Sequence, residues 1–211
     1  MVRYQSNHSK ETYYKEAKQK GYRARSAFKL LEIQKRFNVF KRAYYILDLG
    51  SAPGSWLQVS KEFAIRNLEK YNDTYYSRDH FKIMGVDIKK LSSIEDIETI
   101  VMNIHDEDLR EKIDEYFEGE KIDLILSDAS INKSGNKFSD QARQIQLCYE
   151  ILSLTRFLKI RGNCVIKLFQ GKDFEAFFKD FKNHFFQVKS FKPKASKKKS
   201  NEIYLIGLKK K

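Results

Sequence analysis

Apolar positions along the chain gather in short dense runs, and the longer stretches between them repeat their apolar residues at helical spacing. Residues 44–49, 83–86, 122–126 and 164–169 are runs rich in Ile, Leu and Val. Such runs mark strands buried on both faces. Residues 57–66, 107–117, 140–158 and 174–181 fit helices; in the third of these Ile145, Cys148, Tyr149, Leu152 and Thr155 fall on one face, with Ser139 or Asp140 placed to cap it. Strand and helix therefore alternate, which predicts an α/β fold with a mostly parallel sheet covered by helices on both faces. The end of the chain breaks the pattern. Residues 185–191 and 203–208 are strand-like and joined by a basic loop with no helix between them, so the last strand should run antiparallel. At the front, residues 10–38 predict one or two helices, with Ser26 to Leu31 opening an amphipathic one. Residues 66–82 form a polar surface link. No repeat or second core appears, so residues 1–211 are expected to form a single domain, with 1–42 as its basic helical extension.

At 211 residues, 41% hydrophobic and 14% aromatic, the chain can bury one core. No apolar run approaches the roughly 18 residues that span a bilayer, so no membrane partner is expected. The first fourteen residues lack the apolar segment of a secretory signal. The expected setting is intracellular, either cytoplasmic or organellar (mitochondrial), and the expected state is monomeric. Cys148 and Cys164 lie in apolar surroundings and read as buried thiols. His8, His80, His105 and His184 are scattered without ligand spacing, so no metal is expected. The net charge of +13 is uneven. Residues 1–42 hold twelve Lys and Arg against three acids, and residues 189–211 hold nine Lys against one. Basic ends on a near-neutral body fit a polyanion footprint, and nucleic acid is the usual polyanion. A lysine-rich composition serving solubility would have the same profile.

Ligands of open α/β sheets bind beyond the carboxyl ends of the strands. The first strand carries Asp48 and enters the loop Gly50-Ser51-Ala52-Pro53-Gly54-Ser55-Trp56; the second ends at Asp87, the third at Asp128, the fourth carries Lys167, and the antiparallel last strand begins at Glu202. Charged residues from five stretches should thus meet on one rim, as a site rather than as separate strand ends. Gly50 and Gly54 would let backbone approach a ligand. Their spacing is not that of a dinucleotide-binding loop. It resembles the loop of nucleoside-dependent methyltransferases, in which Asp87 would accept hydrogen bonds from ribose hydroxyls. A tight turn with a capping aspartate is the other reading. Lys167 interrupts a strand that should be uniformly apolar. It either meets a carboxylate and serves as a general base, or snorkels from the strand end to water.

The stretches Tyr22-Arg23-Ala24-Arg25-Ser26-Ala27-Phe28-Lys29-Leu30, Asp48 to Trp56, Ser127-Asp128, Val165-Ile166-Lys167-Leu168-Phe169-Gln170-Gly171, and Lys192-Pro193 through Glu202 occur in order along nearly the whole chain. In these the chain resembles the FtsJ/RrmJ family of ribose 2′-O-methyltransferases. The resemblance implies a Rossmann-like S-adenosylmethionine-dependent methyltransferase fold of about seven strands and a catalytic set at Lys29, Asp128, Lys167 and Glu202. It implies S-adenosylmethionine as cofactor, held by Gly54, Trp56, Asp87 and Asp128. Gly50, Ser51 and Pro53 of the same loop join that set, as do Asn103 and Ile104 near the adenine. Lys167 would be the base, Lys29 would crowd it with a like charge and steady the oxygen, and the two carboxylates would orient the lysines. Two departures matter. The family usually follows its aspartate with Met-Ala-Pro-Asn, whereas in this chain Ala129-Ser130-Ile131-Asn132 follows and the proline is absent. Ile104 stands where the family often has an acidic residue.

The implied partner is RNA, either ribosomal RNA or a ribosomal subunit, lying across the rim between the basic ends. Lys10, Lys18, Lys20, Arg23, Arg25, Lys194, Lys197, Lys198 and Lys199 are the phosphate candidates. Tyr13, Tyr14 and Tyr22 would stack on bases or pack in the core. Within the family, the near-minimal length favours a uridine of large-subunit ribosomal RNA; the front half is also similar to enzymes of the tRNA anticodon loop. An inactive ribosome-assembly protein with the same fold is a further reading. A nicotinamide oxidoreductase is opposed by the glycine spacing and the final hairpin.

Overall fold

The computed structural model describes residues 10–71, 79–132, 134–197 and 200–211, with Lys10, Glu11 and Lys137 described by backbone alone. Two helices lead, α1 (Lys10–Gln19) and α2 (Ala27–Phe37). The alternating body follows as β1 (Tyr45–Leu49), α3 (Ser55–Tyr71), β2 (Lys82–Asp87), β3 (Glu98–Val101), α4 (Leu109–Phe117), β4 (Ile122–Ser127), α5 (Lys137–Ser153), β5 (Leu158–Phe169) and α6 (Phe174–His184). The hairpin β6 (Phe185–Phe191) and β7 (Glu202–Lys210) closes the chain. The seven strands lie in the order β3-β2-β1-β4-β5-β7-β6. All pairs are parallel up to β5, and β7 is antiparallel to both β5 and β6.

The strand alternation sends side chains to two cores. Leu47, Ile125, Cys164, Ile166 and Leu205 face α4, α5 and α6. Ile46, Leu124, Leu126, Val165, Tyr204 and Ile206 face α2 and α3. Helix α1 packs on α2 through Ala17 and Phe28. Several details differ from expectation. Strand β3, not foreseen, is only four residues long and half-exposed at the sheet edge, so it carries little apolar signal. Helix α5 is capped by Asn136, whose side chain accepts from the amides of Phe138 and Ser139. Ser139 and Asp140 lie inside its first turn, and Asp140 instead receives the Ser134 amide at 2.8 Å. The helix gives way at Leu154–Phe157 to a 3-10 turn. Helix α3 runs on to Tyr71, so the polar link begins later than expected; its residues 72–78 lie outside the described residues.

At the amino end of the sheet, Asp123 is buried. Its Oδ2 accepts from the amides of Tyr44 and Tyr45 at 2.7 and 2.8 Å, and Lys159 reaches Oδ1 at 2.5 Å. This carboxylate ties the entry of β1 to β4 and β5. Asp123→Ala strands two amides and one lysine, so urea unfolding should show a loss of roughly 2–4 kcal/mol. An unchanged midpoint would contradict this role.

Candidate active site

The carboxyl rim holds the predicted charges because each sits where its strand or helix ends. On β5, alternation points Val165 toward α2, and Lys167 lies on that same face. Lys167 pairs in register with Tyr204 of β7. Lys29 is an inward residue of α2 and, like Lys167, is more than nine-tenths buried. Asp128 follows the last residue of β4, and Glu202 opens β7.

The four side chains form one network. Lys167 Nζ lies 3.1 Å from Asp128 Oδ1 and also donates to the Asp128 carbonyl. Lys29 Nζ lies 2.7 Å from Glu202 Oε1 and 3.8 Å from Asp128 Oδ1. Tyr204 completes it. Its hydroxyl donates to Asp128 Oδ1 at 2.6 Å, with Glu202 Oε1 at 3.3 Å, and accepts from Lys29 at 3.1 Å. Ser196 donates to Glu202 Oε1 at 2.8 Å. Tyr204 was not foreseen, because within Ile203-Tyr204-Leu205-Ile206 it reads as one more core residue. Its register position opposite Lys167 was the available signal.

Burial would push the Asp128 carboxyl up, but the ammonium groups of Lys167 and Lys29, helped by the Tyr204 hydroxyl, hold it below the usual aspartate range. Burial, with the charges of Asp128 and Glu202 beside it, pushes the Tyr204 phenol well above its ordinary value. The phenol therefore stays a neutral donor. Asp48 departs from expectation. It is fully buried beneath the rim, and burial together with the charges of Asp128 and Asp87 holds its carboxyl well above the usual range. It lies below the site and lines neither cavity.

Two cavities open on this rim, and Ser130 lines both. One, of about 500 Å³, is lined by Gly50, Asp87, Asn103, Ile104 and Asp128 of the predicted cofactor set, with Ile88, Met102, Ile131, Arg143 and Leu147 among the rest of its wall. Asp87 accepts from the Ala52 amide at 2.9 Å and from the Lys89 amide at 2.8 Å, one on each oxygen. Each oxygen keeps a further lone pair for an incoming hydroxyl. Ser51, Pro53, Gly54 and Trp56 do not line this cavity. Trp56 is buried, donates to the Ser26 carbonyl at 2.8 Å and lies against the Tyr204 ring. It braces the entry of α2. The glycines also make close contacts within the chain. A Cβ on Gly50 (φ +77°) would meet the Ala129 backbone at 2.5 Å, and one on Gly54 (φ +104°) would meet Arg23 at 2.8 Å. Both positions need glycine for chain-on-chain packing and positive φ. The Gly50 contact presses the first loop onto the segment that carries Asp128.

The other cavity, of about 420 Å³, is lined by Arg25, Lys29, Ser130, Lys167, Phe169, Lys197, Ser200 and Glu202. Asp128 lines the first cavity and Lys167 the second, so their ion pair sits where the two adjoin. The phosphate candidates separate into groups. Arg25 and Lys197 line the second cavity, and Arg25 also reaches the Ala195 carbonyl at 3.4 Å. Lys194 is exposed, and its backbone is held to α2 by Glu32, which accepts from the amides of Lys194 and Ala195 at 2.6 and 3.0 Å. Lys18 is exposed, and Lys20 is paired with Glu16. Arg23 donates to the carbonyls of Pro53, Ser92 and Ser93. It is a brace between loops, with few donors left for phosphate. Lys198, Lys199 and the Lys10 side chain lie outside the described residues. Tyr13 and Tyr22 pack on Phe28, whereas Tyr14 is exposed.

Comparison with known proteins adds a second line of support. The model of the family described as FtsJ-like methyltransferase matches residues 22–210. A protein of Methanosarcina mazei named ribosomal RNA large subunit methyltransferase E is 38% identical over 201 residues, covering 95% of this chain and 69% of its own. The protein of the same name from Ehrlichia chaffeensis is 37% identical over 199 residues, covering 94% and 88%. A solved structure from Plasmodium falciparum, provisionally named a ribosomal RNA methyltransferase, superposes with a TM-score of 0.73 at 29% identity, over 90% of this chain and 98% of that one.

Because Asp128 is held below its ordinary value of 3.8, its pairing should stabilise the fold fully above that pH and be lost as pH falls through its lowered folded value. The stability gap between the wild type and Asp128→Asn, from urea midpoints, should therefore be constant above about pH 5 and narrow toward pH 3. A gap that is flat down to pH 3 would contradict the pairing.

Proposed function

As the chain belongs to the FtsJ-like methyltransferase family and uses S-adenosylmethionine, we propose that it methylates a ribose 2′-hydroxyl of large-subunit ribosomal RNA, at a uridine, with residues 1–211 acting as one catalytic domain. The substrate class is taken from the two relatives that carry that name and from the Plasmodium neighbour. The observation that carries the chemistry is the pair of buried lysines on one carboxylate at the junction of two cavities.

The larger cavity has the size and mixed lining of a nucleoside site. In this proposal Asp87 would hold the cofactor's ribose hydroxyls, Asn103 and Ile104 would hold its adenine, and Gly50 and Asp128 would hold the remainder. S-adenosylmethionine supplies an activated methyl group. The chain's task is then to place one hydroxyl in line and take one proton.

The second cavity holds the acceptor. Lys167 Nζ receives the hydroxyl proton. Lys29, anchored on Glu202 and the Tyr204 hydroxyl, steadies the same oxygen. Tyr204 and Glu202 keep Lys29 in place while this happens. Arg25 and Lys197 at the cavity wall hold flanking phosphates. Lys18 and Lys194 extend the basic track, and Lys198 and Lys199 remain phosphate candidates by sequence alone.

Lys167→Ala should abolish transfer to large-subunit ribosomal RNA while leaving cofactor affinity within about three-fold, because the amine acts on the acceptor. Single-turnover assays with labelled cofactor measure the first and calorimetry the second; a near-normal rate would remove Lys167 from the base role. Arg25→Ala with Lys197→Ala should weaken RNA binding and flatten its log–log salt dependence by roughly 1.4 to 1.8. An unchanged slope would place the RNA elsewhere.

A further inference from the structure

The parallel ladder between β4 and β5 stops at Ser127↔Ile166, one residue short of both Asp128 and Lys167. Beyond that point the two strands have no register pairing to hold the reacting residues together. A buried side chain from α5 spans the gap. Gln144 is 1% exposed. Its Oε1 accepts from the Ile131 amide at 3.1 Å, and its Nε2 donates to the carbonyls of Lys167 at 3.3 Å and Ala129 at 3.4 Å. The Cys148 thiol, one turn along α5, donates to the same Lys167 carbonyl at 3.5 Å. One amide group therefore touches the backbone on both sides of the Asp128–Lys167 ion pair.

We propose that Gln144 is a positioning residue that takes over from the β4–β5 ladder and sets the distance between Asp128 and Lys167. Its need is created by Ile131. Proline, usual in the family at this place, has no amide hydrogen and fixes its own φ. Isoleucine does neither, and leaves a donor that must be satisfied in a partly buried loop. Gln144 accepts that donor and spends its own amide hydrogens on the neighbouring carbonyls. A side chain from the helix behind the loop thus supplies the order that a proline would impose through its ring. A loop free to drift would carry Asp128 away from Lys167, and misplacements on the order of 1 Å cost up to about 100-fold in rate. This role rests on the assignment of Lys167 and Asp128 as reacting residues. The tether itself is a feature of the fold.

Gln144→Met keeps the volume and removes the acceptor and donors. Two readouts separate the tether from the chemistry. Hydrogen exchange at the Ile131 amide should speed up by at least about ten-fold, with α5 amides beyond Gln144 little changed. Single-turnover transfer to large-subunit ribosomal RNA, at saturating cofactor and RNA and normalised to sites that bind S-adenosylhomocysteine, should fall roughly 10- to 100-fold, with both affinities within about two-fold. Adding Ile131→Pro to Gln144→Met should recover part of the rate, because the stranded donor is gone. Unchanged exchange at Ile131 overturns the tether whether or not the RNA is the right substrate. Faster exchange with an unchanged rate per binding site overturns the positioning role. A wild type that transfers no methyl to ribose, with faster exchange in the variant, overturns the proposed function and leaves the tether standing.

Discussion

Asp128 offers one carboxylate oxygen to two lysines and a phenol. Lys167 lies 3.1 Å from Oδ1, Lys29 lies 3.8 Å from it, and the Tyr204 hydroxyl donates to it at 2.6 Å. Two nearly buried ammonium groups this close would repel one another strongly without that oxygen. Much of the surrounding structure can be understood as what is needed to keep it in place. Gly50 packs on Ala129 so tightly that even a methyl group would collide, which fixes the first loop against the segment leaving β4. Gln144 holds the same segment from behind. Glu202 takes the second contact of Lys29, so that Asp128 is not the only anion facing two cations.

The same constraint explains why α2 and the terminal hairpin pack together at the carboxyl rim. Lys29 reaches the rim only because α2 packs on the sheet face that Tyr204 and Ile206 also cover. The Trp56 ring links the two, donating to the Ser26 carbonyl and lying against Tyr204. Glu32 of α2 then ties down the basic loop between β6 and β7 through two backbone amides. That contact brings Lys197 to the wall of the cavity that holds Lys29 and Lys167. The antiparallel hairpin places Glu202 at the carboxyl edge, where a parallel last strand would have placed its other end.

Much of this was legible in the sequence, and the parts that were not share a cause. Runs of apolar residues revealed every strand buried in the sheet, and the helix-free link revealed the hairpin. Strand β3 escaped because an edge strand of four half-exposed residues has no run to show. Asp128, Lys167 and Glu202 stood out as charges at strand ends or inside an apolar run, Lys29 came from the family resemblance alone, and the structure brings all four together. Tyr204 and Gln144 did not stand out. A tyrosine in an apolar strand and a glutamine in an amphipathic helix are ordinary residues, and only register and packing reveal what their polar ends meet. Gly50 and Gly54 were legible as special positions; Gly50 lines the larger cavity and packs on Ala129, whereas Gly54 packs on Arg23. Spacing along a sequence shows that glycine is required without showing what approaches it. Arg23 is similar: its charge suggested phosphate, while its donors go to three carbonyls.

The central claim is that this cluster directs a methyl group to a ribose oxygen. A 2′-O-methyl group removes the nucleophile on which alkaline cleavage of RNA depends, so its position is readable as a missing band. Large-subunit ribosomal RNA from cells depleted of the protein, incubated with the purified chain and labelled S-adenosylmethionine and then hydrolysed in mild alkali, should gain label together with one newly resistant linkage, 3′ to a uridine. Label that enters the RNA while every linkage stays alkali-sensitive would place the methyl group on a base and contradict the account.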